Sequence, residues 1–335
     1  MMKMKTLVSI VLLSVFFISN TSTEVKAQAA SSKNKLSVIF DTDANNELDD
    51  QHAMAYLFSN MDYFDIKAIT VNATRGGGDI HEQFKEAERI MALYKVADEI
   101  PLLKGANNSY EEIKGEIDNL NFDGFKAVNF IISEAKKCKH KKLVVIAVGK
   151  LTNLALALQK SPTIAENIRL IWLGSNYPSS GEYNLENDIA SMNYVLQTNV
   201  EFEMVTVSYG ELTGTAIVSV TQQEVNDNMP GVGPKISNPI TGRHGGEFDN
   251  FGDYSVNLFK HINYNGDPPS RALYDMAAVA IVKNSKWAEP TIINCPIMID
   301  KNWVEQPNNN RKITVWKYFD KKRIIADFYC SLKKF

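Results

Sequence analysis

Apolar runs alternate with polar, glycine-bearing breaks along most of the chain, and their lengths predict alternating strands and helices. Leu36-Ser37-Val38-Ile39-Phe40 is an apolar, β-branched run that stops at Asp41, as a buried parallel strand does. Asp65 to Val71 repeats the pattern, and after Gly76-Gly77-Gly78 a helix is expected from about Asp79 to Tyr94. Pro101-Leu102-Leu103, Leu143 to Val148, Ile168 to Leu173 and Glu201 to Val207 read as further strands. Phe125 to Lys136, Leu151 to Gln159 and Ile189 to Gln197 read as helices. This alternation predicts an α/β fold, a mostly parallel open sheet with flanking helices and right-handed crossovers. From Ser208 the alternation weakens. A Gly/Pro/Asn-rich stretch, Asn228 to Gly252, precedes helices near Tyr254 to Ile262 and Ala272 to Val282. The tail from Thr291 to Phe328 carries short runs expected as antiparallel strands or an edge addition.

The first residues depart from this pattern. Lys3 and Lys5 precede an apolar run from Leu7 to Ile18, and Ala27-Gln28-Ala29 suits a signal peptidase. We read 1–29 as a signal peptide cleaved after Ala29, which implies an exported protein, periplasmic or secreted. The run is shorter than the roughly 20 residues of a spanning helix, so the mature chain is not expected to be held in a membrane. Residues 30–335 then form a single α/β domain in expectation. Loss of three lysines and one glutamate takes the formal charge from −3 to −5, which speaks against binding a nucleic-acid backbone. Cys138, Cys295 and Cys330 are the only cysteines, and a bridge between Cys295 and Cys330 is left open by their places in the C-terminal segment.

Candidate chemistry gathers where the first strand ends, in Asp41-Thr42-Asp43-Ala44-Asn45-Asn46-Glu47-Leu48-Asp49-Asp50. Side chains alternate along a strand, so Asp41 and Asp43 are expected on one face, and like charges so close repel unless a cation joins them. Asp49 and Asp50 open a helix whose apolar positions are Ala53, Met54, Leu57 and Phe58. Converging carboxylates with no His or Cys among them suit a hard cation, Ca²⁺ or Mg²⁺. The plainer reading is that Asp49 and Asp50 complement the helix dipole while Asp41 caps a turn.

A strand ending in Asp-x-Asp, a loop, and Asp-Asp opening a helix resembles the signature of the nucleoside hydrolases, calcium-dependent N-ribohydrolases of inosine/uridine preference. Ala147-Val148-Gly149-Lys150-Leu151-Thr152-Asn153-Leu154-Ala155 resembles that family's Gly-Pro-Leu-Thr-Asn element. Glu182-Tyr183-Asn184 resembles its Glu-Phe-Asn segment, and Asp275 its distant aspartate. The resemblance spans roughly Leu36 to Val282 and implies a Rossmann-related, nucleoside-hydrolase-like fold, a divergent member of that family, and cleavage of the N-glycosidic bond of a nucleoside or related riboside. It implies Ca²⁺ held by Asp43, Asp50, Asp275 and the backbone carbonyl of Thr152, with a Ca-bound water activated by Asp43. Asp49, Asn72, Asn176, Glu182 and Asn184 would hold the sugar, and Asp41 would support the ligands from behind. The implied partner is a small molecule, with assembly into a homo-oligomer left open.

The sequence also departs from that pattern. Ala44-Asn45-Asn46-Glu47 replaces a Pro-Gly and lengthens the loop by two residues, which brings Asn46 or Glu47 toward the sugar pocket. Tyr274 stands where the family commonly has a His that serves the leaving base. Tyr274 and His244, the latter in a long loop where a lid would be, are therefore the candidate leaving-group acids. His52 is expected on a helix surface. Two other readings are a non-catalytic, metal-dependent sugar- or nucleoside-binding protein on the same fold, and a phosphohydrolase of the haloacid dehalogenase type. The latter is disfavoured by Asn45, where that family places Thr or Val.

Overall fold

The computed structural model describes residues 35–138 and 140–335, so the segment expected to be a signal peptide lies outside the described residues. Strands β1 (Leu36–Thr42), β2 (Phe64–Val71), β3 (Leu102–Lys104), β4 (Leu143–Ala147), β5 (Ile168–Leu173), β6 (Glu201–Val205), β7 (Glu289–Asn294) and β8 (Lys312–Lys317) make one sheet in the order β7-β8-β6-β5-β4-β1-β2-β3. Every neighbouring pair is parallel except β7 with β8. The chain steps from β1 outward to β3, then returns to lay β4 on the other side of β1. A crevice opens at such a reversal, beyond the carboxyl ends of the strands.

Eight helices of eight or more residues are described: α1 (Asp49–Phe58), α2 (Ile80–Leu93), α3 (Phe125–Lys137), α4 (Thr152–Lys160), α5 (Ile189–Gln197), α6 (Phe251–Phe259), α7 (Tyr274–Lys283) and α8 (Lys321–Leu332). The strand period of two divides β1 between two cores. Val38 and Phe40 face α1, α2, α6, α7 and α8, whereas Ile39 faces α3, α4 and α5. Helix α1 is buried along its whole length, because α7 and α8 cover the side that α2 and the sheet leave free. Among the described residues no helix is long and apolar enough to cross a membrane.

Three expectations change. The tail ends in a helix rather than strands: Asp320 accepts a hydrogen bond from Arg323 N at 3.0 Å, and Ile324, Phe328 and Leu332, spaced by four, fall on one buried face. His52 is wholly buried, its ring nitrogens 2.6 Å from Leu48 O and 2.7 Å from Ser255 Oγ, with Phe251 and Phe259 edge-on to it. Burial holds its pKa down at about 4, so it is a neutral core imidazole. Cys295 is buried and Cys330 exposed, and both are free thiols, because β7 and α8 carry them to different places.

A thiol reagent should therefore modify Cys330 in the native protein and reach Cys295 only on unfolding, and a reductant should leave the thermal midpoint unchanged. Mass mapping of labelled peptides checks this, and a Cys295–Cys330 peptide would contradict it.

Candidate active site

Helices α1 and α7 pack together so that their first turns meet beside the end of β1. Asp49 and Asp50 open α1, Asp275 is the second residue of α7, and all three are buried, with carboxylate oxygens within 4.8 Å of one another. Two helix N-termini thus point their partial positive charge at one acidic cluster. The strand period also supplies a donor: Thr42 follows Phe40 on the face toward α1, and its hydroxyl donates to Asp50 Oδ1. Burial raises Asp50 and Asp275 well above the usual carboxylate range, and the neighbouring aspartates push in the same direction. Asp49 is raised to about 7 by burial, against which the backbone amides of Asp275 and Tyr274 pull it down.

Asp43 lies just past β1 and closes the cluster. Its Oδ2 accepts from Thr74 Oγ1 at 2.5 Å, and burial raises its pKa to about 7. Gly149, after β4, makes room for it: a Cβ there would stand 3.0 Å from Asp43 Oδ1 and 2.7 Å from Asn72 Oδ1. Asp41 stays close enough to Asp43 for its charge to help raise the Asp43 pKa, as a shared strand face predicts, but its own oxygens are held by amides. Asp41 follows Ile39 toward α4, where Asn72 Nδ2 reaches Oδ1 at 2.9 Å and Asn153 Nδ2 reaches both oxygens at 3.1 and 3.0 Å. Burial raises Asp41 to about 7 and these amides hold it from rising further. Asp41 therefore supports the strand end from behind, held jointly by Asn72 and Asn153.

A cavity of about 490 Å³, counted with its open mouth, lies over the cluster. Asp43, Asp49, Asp50 and Asp275 form its acidic part, joined by Glu182 and Asn184 from the segment after β5 and by Tyr274. Glu182 accepts from the backbone amides of Ser175, Asn184 and Leu185 at 2.8 to 3.0 Å, which fixes it while burial raises its pKa. Asn184 Nδ2 donates to Val148 O at 2.8 Å and Leu173 O at 3.1 Å, tying the ends of β4 and β5 together. Asn46 and Glu47 reach the cavity, as the longer loop suggests, and Val148, Tyr183, Val207 and Tyr209 complete its wall.

Four anticipated residues lie elsewhere. Thr152 is already helical, so its carbonyl runs down α4, and its hydroxyl donates to Asp188 Oδ2 at 2.5 Å; Val148 is the residue before α4 that lines the cavity. Asn72 is fully buried against Asp41, with its Oδ1 lacking a protein partner. Asn176 bridges Gly181 O and Tyr209 N and lines a second cavity, which shares Tyr209 with the first. His244 is exposed at a hairpin tip and stacks on His261 with ring centroids 4.5 Å apart. Its neighbour Arg243 is the residue that reaches the site, donating to Asn45 O at 3.1 Å and to Glu47 O. Arg271 pairs with the Glu47 carboxylate, and Gln51 and Gln83 hold Ala44 O and Asn45 N at 2.8 and 2.7 Å, so the lengthened loop is pinned on every side.

The family model described as inosine-uridine preferring nucleoside hydrolase matches residues 38–325. Among solved structures, a plant nucleoside hydrolase is 16% identical, with a TM-score of 0.66, over 89% of this chain and 99% of that one. An inosine-uridine preferring nucleoside hydrolase from Bacillus anthracis is 15% identical, with a TM-score of 0.64, over 90% of this chain and 100% of that one. A purine-preferring ribonucleoside hydrolase from Gardnerella vaginalis is 18% identical, with a TM-score of 0.62, over 89% and 98%. A search of curated protein sequences returns no match.

Two outcomes follow from the buried acids. Asp41, Asp43 and Asp49 have folded pKa values of about 7, above the unfolded value of about 4, so the folded chain holds protons that the unfolded chain has released. Stability of the metal-free protein should accordingly fall as pH rises from about 5 to 8, measured by urea unfolding in a chelator, and Asp43→Asn should flatten the slope. Asn153→Ala removes one of the two amides that donate to Asp41, leaving Asn72, and should cost about 2–4 kcal/mol. The double variant with Asp41→Asn should recover part of that loss, and additive losses in the cycle would contradict the pairing.

Proposed function

This chain belongs to the inosine-uridine preferring nucleoside hydrolase family, and on that premise we propose that its cavity hydrolyses the N-glycosidic bond of a ribonucleoside or related riboside. The carrying observation is the convergence of Asp43, Asp49, Asp50, Asp275, Glu182 and Asn184 on one cavity from three separate stretches of chain. The matched residues include every one of them.

The donor set fits a hard divalent cation such as Ca²⁺: carboxylates that raise one another's pKa, and no sulfur or imidazole. Asp43, Asp50, Asp275 and the Val148 carbonyl would hold it. When bound, such an ion neutralises the cluster, orients sugar hydroxyls and makes water more acidic. Asp49 already accepts from the first amides of α7, which leaves it suited to a ribose hydroxyl. Glu182 and Asn184, locked by backbone partners, would take the remaining hydroxyls, and their rigidity favours a single sugar pose.

Asp43 would remove the proton from the attacking water. Thr74 fixes one of its oxygens, so the other is aimed at the cavity. As the C1′–N bond breaks, the developing oxocarbenium charge lies among carboxylates, which favour it electrostatically. The base departs toward Tyr209 and Tyr274, which line the cavity beside the cluster. A non-catalytic binder is not favoured, because a carboxylate placed for general-base work is retained.

Release of reducing sugar from a panel of ribosides, abolished by a chelator and restored by Ca²⁺, is the expected result. Asp43→Asn should lower kcat/KM by about 10³-fold or more. No sugar released from any riboside by the calcium-loaded protein would overturn the reading.

A further inference from the structure

We propose that the riboside released best by this site carries a cationic base, one whose glycosidic nitrogen belongs to a positively charged ring such as a pyridinium or an N7-alkylated purine. The inference rests on the N-ribosyl hydrolase reading above and names its substrate class.

The first observation is the charge of the cavity. Asp43, Glu47, Asp49, Asp50, Glu182 and Asp275 line it, and among the described residues that line it there is no Lys, Arg or His. The basic side chains nearby are already engaged. Arg271 is paired with Glu47 and offsets that one charge, Arg243 donates to the carbonyls of Asn45 and Glu47, Arg75 lies over the Tyr183 ring and pairs with Glu186 at 3.4 Å, and Lys150 donates to the carbonyls of Asn107 and Asn108 at 3.1 and 2.7 Å. One divalent cation leaves such a cavity negative, a potential that draws in cations and repels phosphorylated ribosides.

The second observation is aromatic. Tyr209 and Tyr274 stand edge to face, with ring centroids 5.9 Å apart, and both line the cavity. Tyr209 is half exposed, leaving ring surface for a ligand. Carboxylates beside tyrosine rings form the setting that recognises a flat organic cation.

The third point is the leaving group. A neutral base departs with the bond's electron pair and must be protonated, and among the described residues no imidazole or ammonium group lines the cavity to do so. A cationic base needs no such donor. The C1′–N pair moves onto the ring nitrogen and cancels its charge, water oxygen bonds to C1′, and the water proton goes to Asp43 and then to solvent. The balance is riboside cation plus water giving ribose, neutral base and one proton.

The test compares guanosine with N7-methylguanosine, and uridine with nicotinamide riboside, using the calcium-loaded full chain. The cationic member of each pair should show a kcat/KM at least about 100-fold higher, the scale of a general acid's contribution. Its KM should also be lower. Tyr209→Leu, checked for an unchanged melting curve, should raise the KM for N7-methylguanosine about tenfold, the size of a cation–π contact, and that for guanosine by much less. Equal or faster turnover of the neutral partners would overturn the inference while leaving the hydrolase reading intact. An N7-methylguanosine KM unmoved by Tyr209→Leu would also overturn it. Ribose released from none of the four would remove both readings together.

Discussion

Mutual repulsion among buried carboxylates is the constraint that organises this protein. Asp43, Asp49, Asp50 and Asp275 cannot all be ionised side by side in a medium of low dielectric without compensation. The fold supplies part of it from atoms already present: the first turns of α1 and α7, the hydroxyls of Thr42 and Thr74, and the amides at the head of α7. Asp41 is placed differently, its oxygens held by the side-chain amides of Asn72 and Asn153. The structure thereby separates a carboxylate bonded within the protein from four that line the cavity.

That division comes from strand geometry. The alternation that sends Phe40 and Ile39 to different cores also sends Thr42 toward α1 and Asp41 toward α4. The sheet's reversal between β1 and β4 then places Val148 and Gly149 beside Asp43, where the glycine's lack of a side chain permits the approach. Relatives only 15–18% identical share the fold.

Much of this was legible in the sequence because it rests on local patterns. Apolar runs located all six early strands to within two residues, and the aspartates at the end of β1 and start of α1 stand in one short segment. Asp275, Glu182 and Asn184 were legible through resemblance. The rest depended on tertiary facts that leave no local mark. A backbone carbonyl can be offered by any residue type, so nothing in the letters favours Val148 over Thr152. His52 sits where helical spacing alone suggests a surface, and only the arrival of Phe251, Phe259 and Phe328 from the far end of the chain buries it. The four-residue spacing of Ile324, Phe328 and Leu332 was a readable helix signal, obscured by the strand-like run that precedes it.

The loop Ala44–Leu48 has a consequence for how the protein is made. Arg243 clamps its backbone from 198 and 196 residues away, and Arg271 holds Glu47 from a comparable distance. Contacts of such sequence separation form late, because the intervening chain must be ordered before they can be made. A ribosome-bound chain can thus complete β1 through β6 and still lack a finished cavity. Catalytic competence is acquired in the last stage of assembly, and every molecule with a working site is one whose C-terminal third has already docked.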